Sequence, residues 1–137
     1  MKNRNGFTLV EVLAVIVVLG FISTIFIPNA LKILKSNNLK IYKIKEQELE
    51  KSASDYVLYE KSFVAPIAGE EKYITMPQLV AGSYMNKILD SSSGNECKAF
   101  VKVTLNDIYG YNYEACLICE EYKTNKDFCN IDIYKDL

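Results

Sequence analysis

Glu11 is the one ionisable residue between Phe7 and Ile27. As a helix, that stretch would be about 32 Å long at about 1.5 Å per residue, which matches a bilayer core of about 30 Å. A carboxylate inside lipid costs about 3 kcal/mol even on the mildest scale. A group that costly calls for a partner, and the fitting one is a cation supplied by processing and assembly. The other reactive side chains are Cys97, Cys116, Cys119 and Cys129. Cys116 and Cys119 form a C-x-x-C. Four thiolates can hold zinc; disulfides and free thiols are the alternatives. The chain has no histidine, so the commonest general base and metal ligand is missing. With no converging carboxylates either, no catalytic residue and no cofactor are expected, and the chain does not read as an enzyme.

These residues need elements to hold them. Phe7 to about Lys61 reads as one long helix, apolar in its first half and amphipathic in its second. Leu31, Leu34, Ile41, Tyr42, Leu49, Ala53, Tyr56 and Val57 recur at a three-to-four spacing beyond Pro28. Pro28 can kink the helix, because it lacks an N–H and crowds the preceding turn. The charge-rich run Lys43 to Lys51 reads as a solvated face. After a loop through Ala65–Gly69, Thr75 can cap a short helix. Gln78 would complete the capping box, Pro77 suits the first turn, and Gly82 would end it. Asp90 to Asn95 is a turn cluster.

Cys97, Ala99, Val101, Val103 and Leu105 alternate with Lys98, Phe100, Lys102 and Thr104, the pattern of a half-buried strand. Asn106–Gly110 is a hairpin loop, and Tyr111 to Cys119 is the return strand. If Leu105 pairs with Tyr111, then Val103 meets Tyr113, Val101 meets Ala115, Ala99 meets Leu117 and Cys97 meets Cys119. Every apolar residue of that face finds another, which supports the register. A third strand is expected at about Phe128–Tyr134. The predicted class is α+β, a long N-terminal helix packed on a small antiparallel sheet. The 16 basic and 17 acidic residues leave a net charge of −1, which does not favour nucleic acid as a partner. Lys98, Phe100 and Lys102 form the one basic-aromatic cluster, and Glu114 opposite Lys102 makes it read as a solvated strand face with a cross-strand ion pair.

Lys2-Asn3-Arg4-Asn5-Gly6 followed by Phe7-Thr8-Leu9-Val10-Glu11-Val12-Leu13 resembles the class III signal of type IV pilins and pseudopilins. The resemblance covers about residues 2–28, with Gly20 and Pro28 also at the family's offsets, where the pilin helix is often loosened in the filament. It implies a leader over 1–6, a transmembrane and assembly helix over 7–28, and an extracellular pilin domain over 29–137. Within that domain 29–62 would be the amphipathic half of the helix and 97–137 the sheet. It further implies cleavage by a prepilin peptidase between Gly6 and Phe7, N-methylation of Phe7, and neutralisation of a neighbour's amine by Glu11. The implied partners are other pilin subunits in a helical filament, an assembly-platform membrane protein and the membrane itself. The implied location is a single-pass membrane precursor, then a surface filament. The hairpin segment also resembles carboxyl domains of Gram-positive pilin-like proteins. A minor pilin, or a pseudopilin of type II secretion or competence DNA uptake, is the alternative.

Orientation sets two signals against each other. Lys32, Lys35, Lys40, Lys43 and Lys45 beyond the apolar run outnumber Lys2 and Arg4 before it, and a bare count of positive charge would put the carboxyl side in the cytoplasm. The family orientation is the reverse, and an extracellular domain is where disulfides persist. On that reading the register pairs Cys97 with Cys119, leaving Cys116 for Cys129.

Overall fold

The computed structural model describes residues 6–137; the leader residues Lys2 and Arg4 lie outside the described residues. Helix α1 spans Leu9–Tyr59, close to the predicted bounds. Two compact units share it, one ending at Asn37 and the other running Asn38–Leu137.

In the first unit, α1 leaves its apolar side chains uncovered: Leu9 is 84% exposed and Phe21 71%, and Phe7, just before it, is 87% exposed. Among the described residues, α1 is the one helix long and apolar enough to cross a membrane. Its few polar side chains are satisfied locally, as lipid requires. Ser23 donates to the Leu19 carbonyl at 2.8 Å and Thr24 to the Phe21 carbonyl at 2.7 Å. The helix continues through Gly20 and Pro28 without interruption.

In the second unit, a three-stranded antiparallel sheet has the order β1 (Glu71–Thr75), β2 (Lys98–Asn106), β3 (Gly110–Ile118). The β2–β3 register matches the reading of the sequence, with Leu105 opposite Tyr111, Val103 opposite Tyr113, Val101 opposite Ala115 and Ala99 opposite Leu117. The connection is tighter than the predicted five-residue loop, because Asn106 and Gly110 already pair. Gly110 takes φ 84° there, a left-handed conformation that glycine adopts without a Cβ penalty. One sheet face packs on α1 through Tyr42, Leu49 and Ala53, with Ile74, Met76, Leu79 and Ile88 closing the core.

Two expectations need correction. The third strand is β1, not Phe128–Tyr134, so residues 97–137 are not all sheet. The segment Ile131–Asp136 is a helix, here α3, capped by Asn130, whose side chain accepts from the Asp132 N–H at 3.2 Å. A cap that satisfies an orphan N–H favours a helical turn over an extended chain. β1 is short, and Ile74 is its one fully buried residue, which leaves little alternation to read. The second correction concerns the outer sheet face. Phe100 is fully buried, packed with Cys116, Cys129, Phe128 and Tyr134, so α3 and the segment before it cover that face.

The short helix α2 (Met76–Ala81) starts as expected: the Gln78 carboxamide oxygen accepts from the Thr75 N–H at 2.8 Å. Its end differs in detail. Gly82 is right-handed, and Ser83 takes the left-handed turn at φ 62°. The Tyr84 N–H reaches the Leu79 carbonyl at 2.9 Å and the Ser83 N–H the Val80 carbonyl at 3.1 Å, the pair of bonds that defines a Schellman end. A Cβ on Gly82 would lie 2.6 Å from the Tyr84 ring, so glycine is placed there by crowding and not by its dihedral.

Candidate functional site

The first candidate site is the start of α1. Among the described residues, no atom beyond its chain neighbours lies within 4 Å of the position a Cβ on Gly6 would take, and Phe7 is exposed. Thr8 caps the helix with Glu11 in a reciprocal box. The Glu11 carboxylate accepts from the Thr8 N–H at 2.8 Å and the Thr8 hydroxyl at 2.9 Å, and the Glu11 N–H donates to the Thr8 hydroxyl at 3.3 Å. This is the T-x-x-E signature of a helix N-terminus. The Thr8–Glu11 spacing is the sequence signal for it. Among the described residues, Glu11 has hydrogen-bond donors but no ion-pair partner.

The cysteines form two bonds, Cys97–Cys119 with Cα atoms 4.6 Å apart and Cys116–Cys129 at 5.1 Å. All four thiols are used, which leaves no thiolate set for zinc. The C-x-x-C divides as a strand requires, its two sulfurs on opposite faces. Cys97 and Cys119 belong with the helix-side core, while Cys116 and Cys129 lie under α3.

Beside the first disulfide lies a polar hub, built on the Asp90–Asn95 turn cluster. Asp90 is buried and accepts from the Ser92 N–H at 2.7 Å, the Ser92 hydroxyl at 2.6 Å and the Tyr42 hydroxyl at 2.9 Å. Its second oxygen accepts from the Glu120 N–H at 2.9 Å. The Asp-x-Ser spacing, which lets a carboxylate bond the backbone two residues on, was the available signal. Next to it, Tyr42 stacks on Tyr122 with centroids 4.5 Å apart. Glu46 accepts from the Tyr122 hydroxyl at 2.8 Å and from Thr124, and Glu50 accepts from the Ala115 N–H at 3.0 Å. The run Lys43–Lys51 is thus not wholly a solvated face, because two of its carboxylates are turned to the sheet.

The hub sets an expected pH response. Bonds from the Ser92 hydroxyl and N–H hold the Asp90 carboxyl well below the usual range, against the opposing effect of burial. Burial, and then the bond to Glu46, push the Tyr122 hydroxyl up to about 12; burial, and then Asp90, raise Tyr42. A depressed carboxyl stabilises the fold fully above its unfolded value, about pH 4, and this is lost as pH falls through the folded value. A raised phenol stabilises it below about pH 10 and this is lost as pH rises. The thermal midpoint of the full chain in detergent should therefore be flat between these limits and fall outside both. Asp90→Asn should lower the plateau and weaken the acid-side dependence. An unchanged acid limb would show that Asp90 does not set it.

The basic-aromatic cluster on β2 is divided: Lys98 is exposed, whereas its other two members are engaged. Lys102 is paired with Glu114 at 2.9 Å and lies 4.5 Å from the centroid of the Phe128 ring, and Phe100 is buried.

Residues 1–27 match the model of the prokaryotic N-terminal methylation motif. The match spans 27 of the 137 residues. It supports a type IV pilin-like or pseudopilin precursor, processed by a prepilin peptidase, and points to a structural protein and not an enzyme. No curated protein and no solved structure matches the chain.

Proposed function

We propose that this chain is the precursor of a structural subunit of a type IV pilus or type IV-like filament. The observation that carries the reading is the start of α1. An uncovered apolar helix follows the Gly6–Phe7 junction, where Phe7 is exposed, and the one carboxylate of its apolar run, Glu11, lies in its first turn. The precursor would sit in the membrane through residues 7–28, with 29–137 outside. Cleavage after Gly6 would free the Phe7 amine for methylation. Removal of Lys2 and Arg4 with the leader would leave that amine as the positive charge nearest Glu11. A neighbour's amine would then serve as the counter-charge of Glu11 in the assembled filament. The helices would pack at the filament centre, Gly20 and Pro28 marking where each can loosen, and the disulfide-bonded units would form the coat. Both cysteine pairs fit an oxidising exterior.

Intact-mass analysis of material from the native host tests the first step. The expected product lacks Met1–Gly6 and carries one added methyl. Gly6→Leu should accumulate as uncut precursor, because the peptidase subsite would have no room for a side chain. A mature protein that retains Met1–Gly6 would refute the processing scheme.

A further inference from the structure

Between Glu11 and Glu46 the chain carries no carboxylate, yet Lys32, Lys35, Lys40, Lys43 and Lys45 fall there. Lys45 is engaged, its ammonium donating to the Leu89 carbonyl and facing the Tyr42 ring. The other four are exposed, and among the described residues none of them has an ion-pair partner within 4 Å. Lys32 and Lys35 belong to the first unit, which ends at Asn37. At about 1.5 Å per residue, Lys32 lies about 8 Å and Lys35 about 12 Å beyond Ile27 along α1. The polar layer on each side of a bilayer core is about 5–8 Å deep. In a helix the Cα–Cβ bond leans toward the N-terminus, here toward the apolar run, and the long lysine stem lets its ammonium settle among headgroups. Ile33 and Leu34, 61% and 59% exposed between the two lysines, suit the same boundary. Asn29, the one polar side chain between Ile27 and Lys32, is turned to its own helix and donates to the Ile25 carbonyl at 3.2 Å.

We propose that Lys32 and Lys35 bind the phosphate groups of anionic lipids in the leaflet on the carboxyl side of the span. The inference rests on the reading of residues 7–28 as a membrane span. Positive charge beyond the apolar run opposes insertion with the carboxyl side outward. Anionic headgroups on that side offset the opposition, because they supply the counter-charge that the chain itself withholds until Glu46. Attraction to a charged leaflet falls off within a Debye length. The two lysines nearest the span therefore carry the effect, and Lys40 and Lys43 add little to it.

The test uses the full chain, purified from its host membrane and returned to mixed vesicles of phosphatidylcholine and phosphatidylglycerol. Spin-labelled forms of each lipid report which one the protein holds at its surface. At low salt the labelled phosphatidylglycerol should be favoured by about tenfold or more, at about fivefold per lysine. The preference should fade in about 1 M salt, where the Debye length is about 3 Å. Lys32→Gln with Lys35→Gln should cut it to about twofold or less and leave entry into the vesicles intact. Lys40→Gln with Lys43→Gln removes the same charge further along the chain and should keep most of the preference. Equal losses from the two double variants would mean that net charge alone sets the preference. Equal association of both lipids with the unaltered chain would mean that there is none. Either result overturns the proposal and leaves the membrane span standing. A chain that does not enter the vesicles at all overturns the span itself, and this site with it.

Discussion

Glu11→Ala is expected to leave membrane insertion and leader cleavage intact and to reduce filament yield by about a hundredfold. An amine left unpaired in a low-dielectric bundle costs about 3 kcal/mol or more, and each 1.4 kcal/mol is about a factor of ten. Insertion should become easier, since the carboxylate is gone. The Thr8–Glu11 box complicates this variant, because alanine also removes the acceptor for the Thr8 N–H. Two companions separate the effects. Glu11→Gln keeps a capping-box acceptor but carries no charge, so it should assemble as poorly as alanine. Thr8→Ala removes the capping hydroxyl and keeps the charge, so its deficit should be small. Glu11→Asp keeps the charge on a shorter arm and should fall between. The quantity to measure is sheared surface filament relative to mature protein in the membrane. Normal yield from Glu11→Gln would mean that Glu11 serves as a cap and not as a counter-charge.

What could be read beforehand follows the range of the interactions involved. The apolar run and the β2–β3 hairpin were legible because each announces itself by local periodicity. Once Leu105 met Tyr111, the two-residue alternation carried the register as far as Cys97 and Cys119. β1 was not legible. Glu71–Thr75 has one fully buried residue, and its place on β2 is set by tertiary pairing. The C-terminal segment misled for the opposite reason. Cys129, Ile131 and Ile133 alternate as a strand would, yet the Asn130 cap and the Cys116–Cys129 bond settle it as a helix over Phe100. The two polar features that were missed had short local signatures. Thr8-x-x-Glu11 is a capping box, and Asp90-x-Ser92 is an Asx turn. What no local signature reveals is that Tyr42, 48 residues away in sequence, also reaches Asp90.

The second large effect concerns the disulfides, which act on different parts of one unit. Cys97–Cys119 spans a sequence separation of 22 and Cys116–Cys129 one of 13; in the chain-entropy model, removing either costs about 3 kcal/mol. For a unit of this size, that corresponds to a fall in thermal midpoint of about 15 °C. Paired alanine substitutions, read by thermal unfolding of the mature chain in detergent, should show losses of this order. The local consequences should differ. Without Cys116–Cys129, the link from β3 to the segment carrying Phe128 and Tyr134 is gone, and hydrogen exchange should rise in 126–136 before the sheet opens. Without Cys97–Cys119, the Glu120 N–H is no longer held at Asp90, where it donates at 2.9 Å. Asp90→Asn should then cost less in that background than in the intact chain, since groups sharing one network are not additive. Equal costs for Asp90→Asn in both backgrounds would mean that the disulfide and the hub stabilise the unit independently, and that the position of Glu120 is held by the Cys119–Tyr122 turn alone.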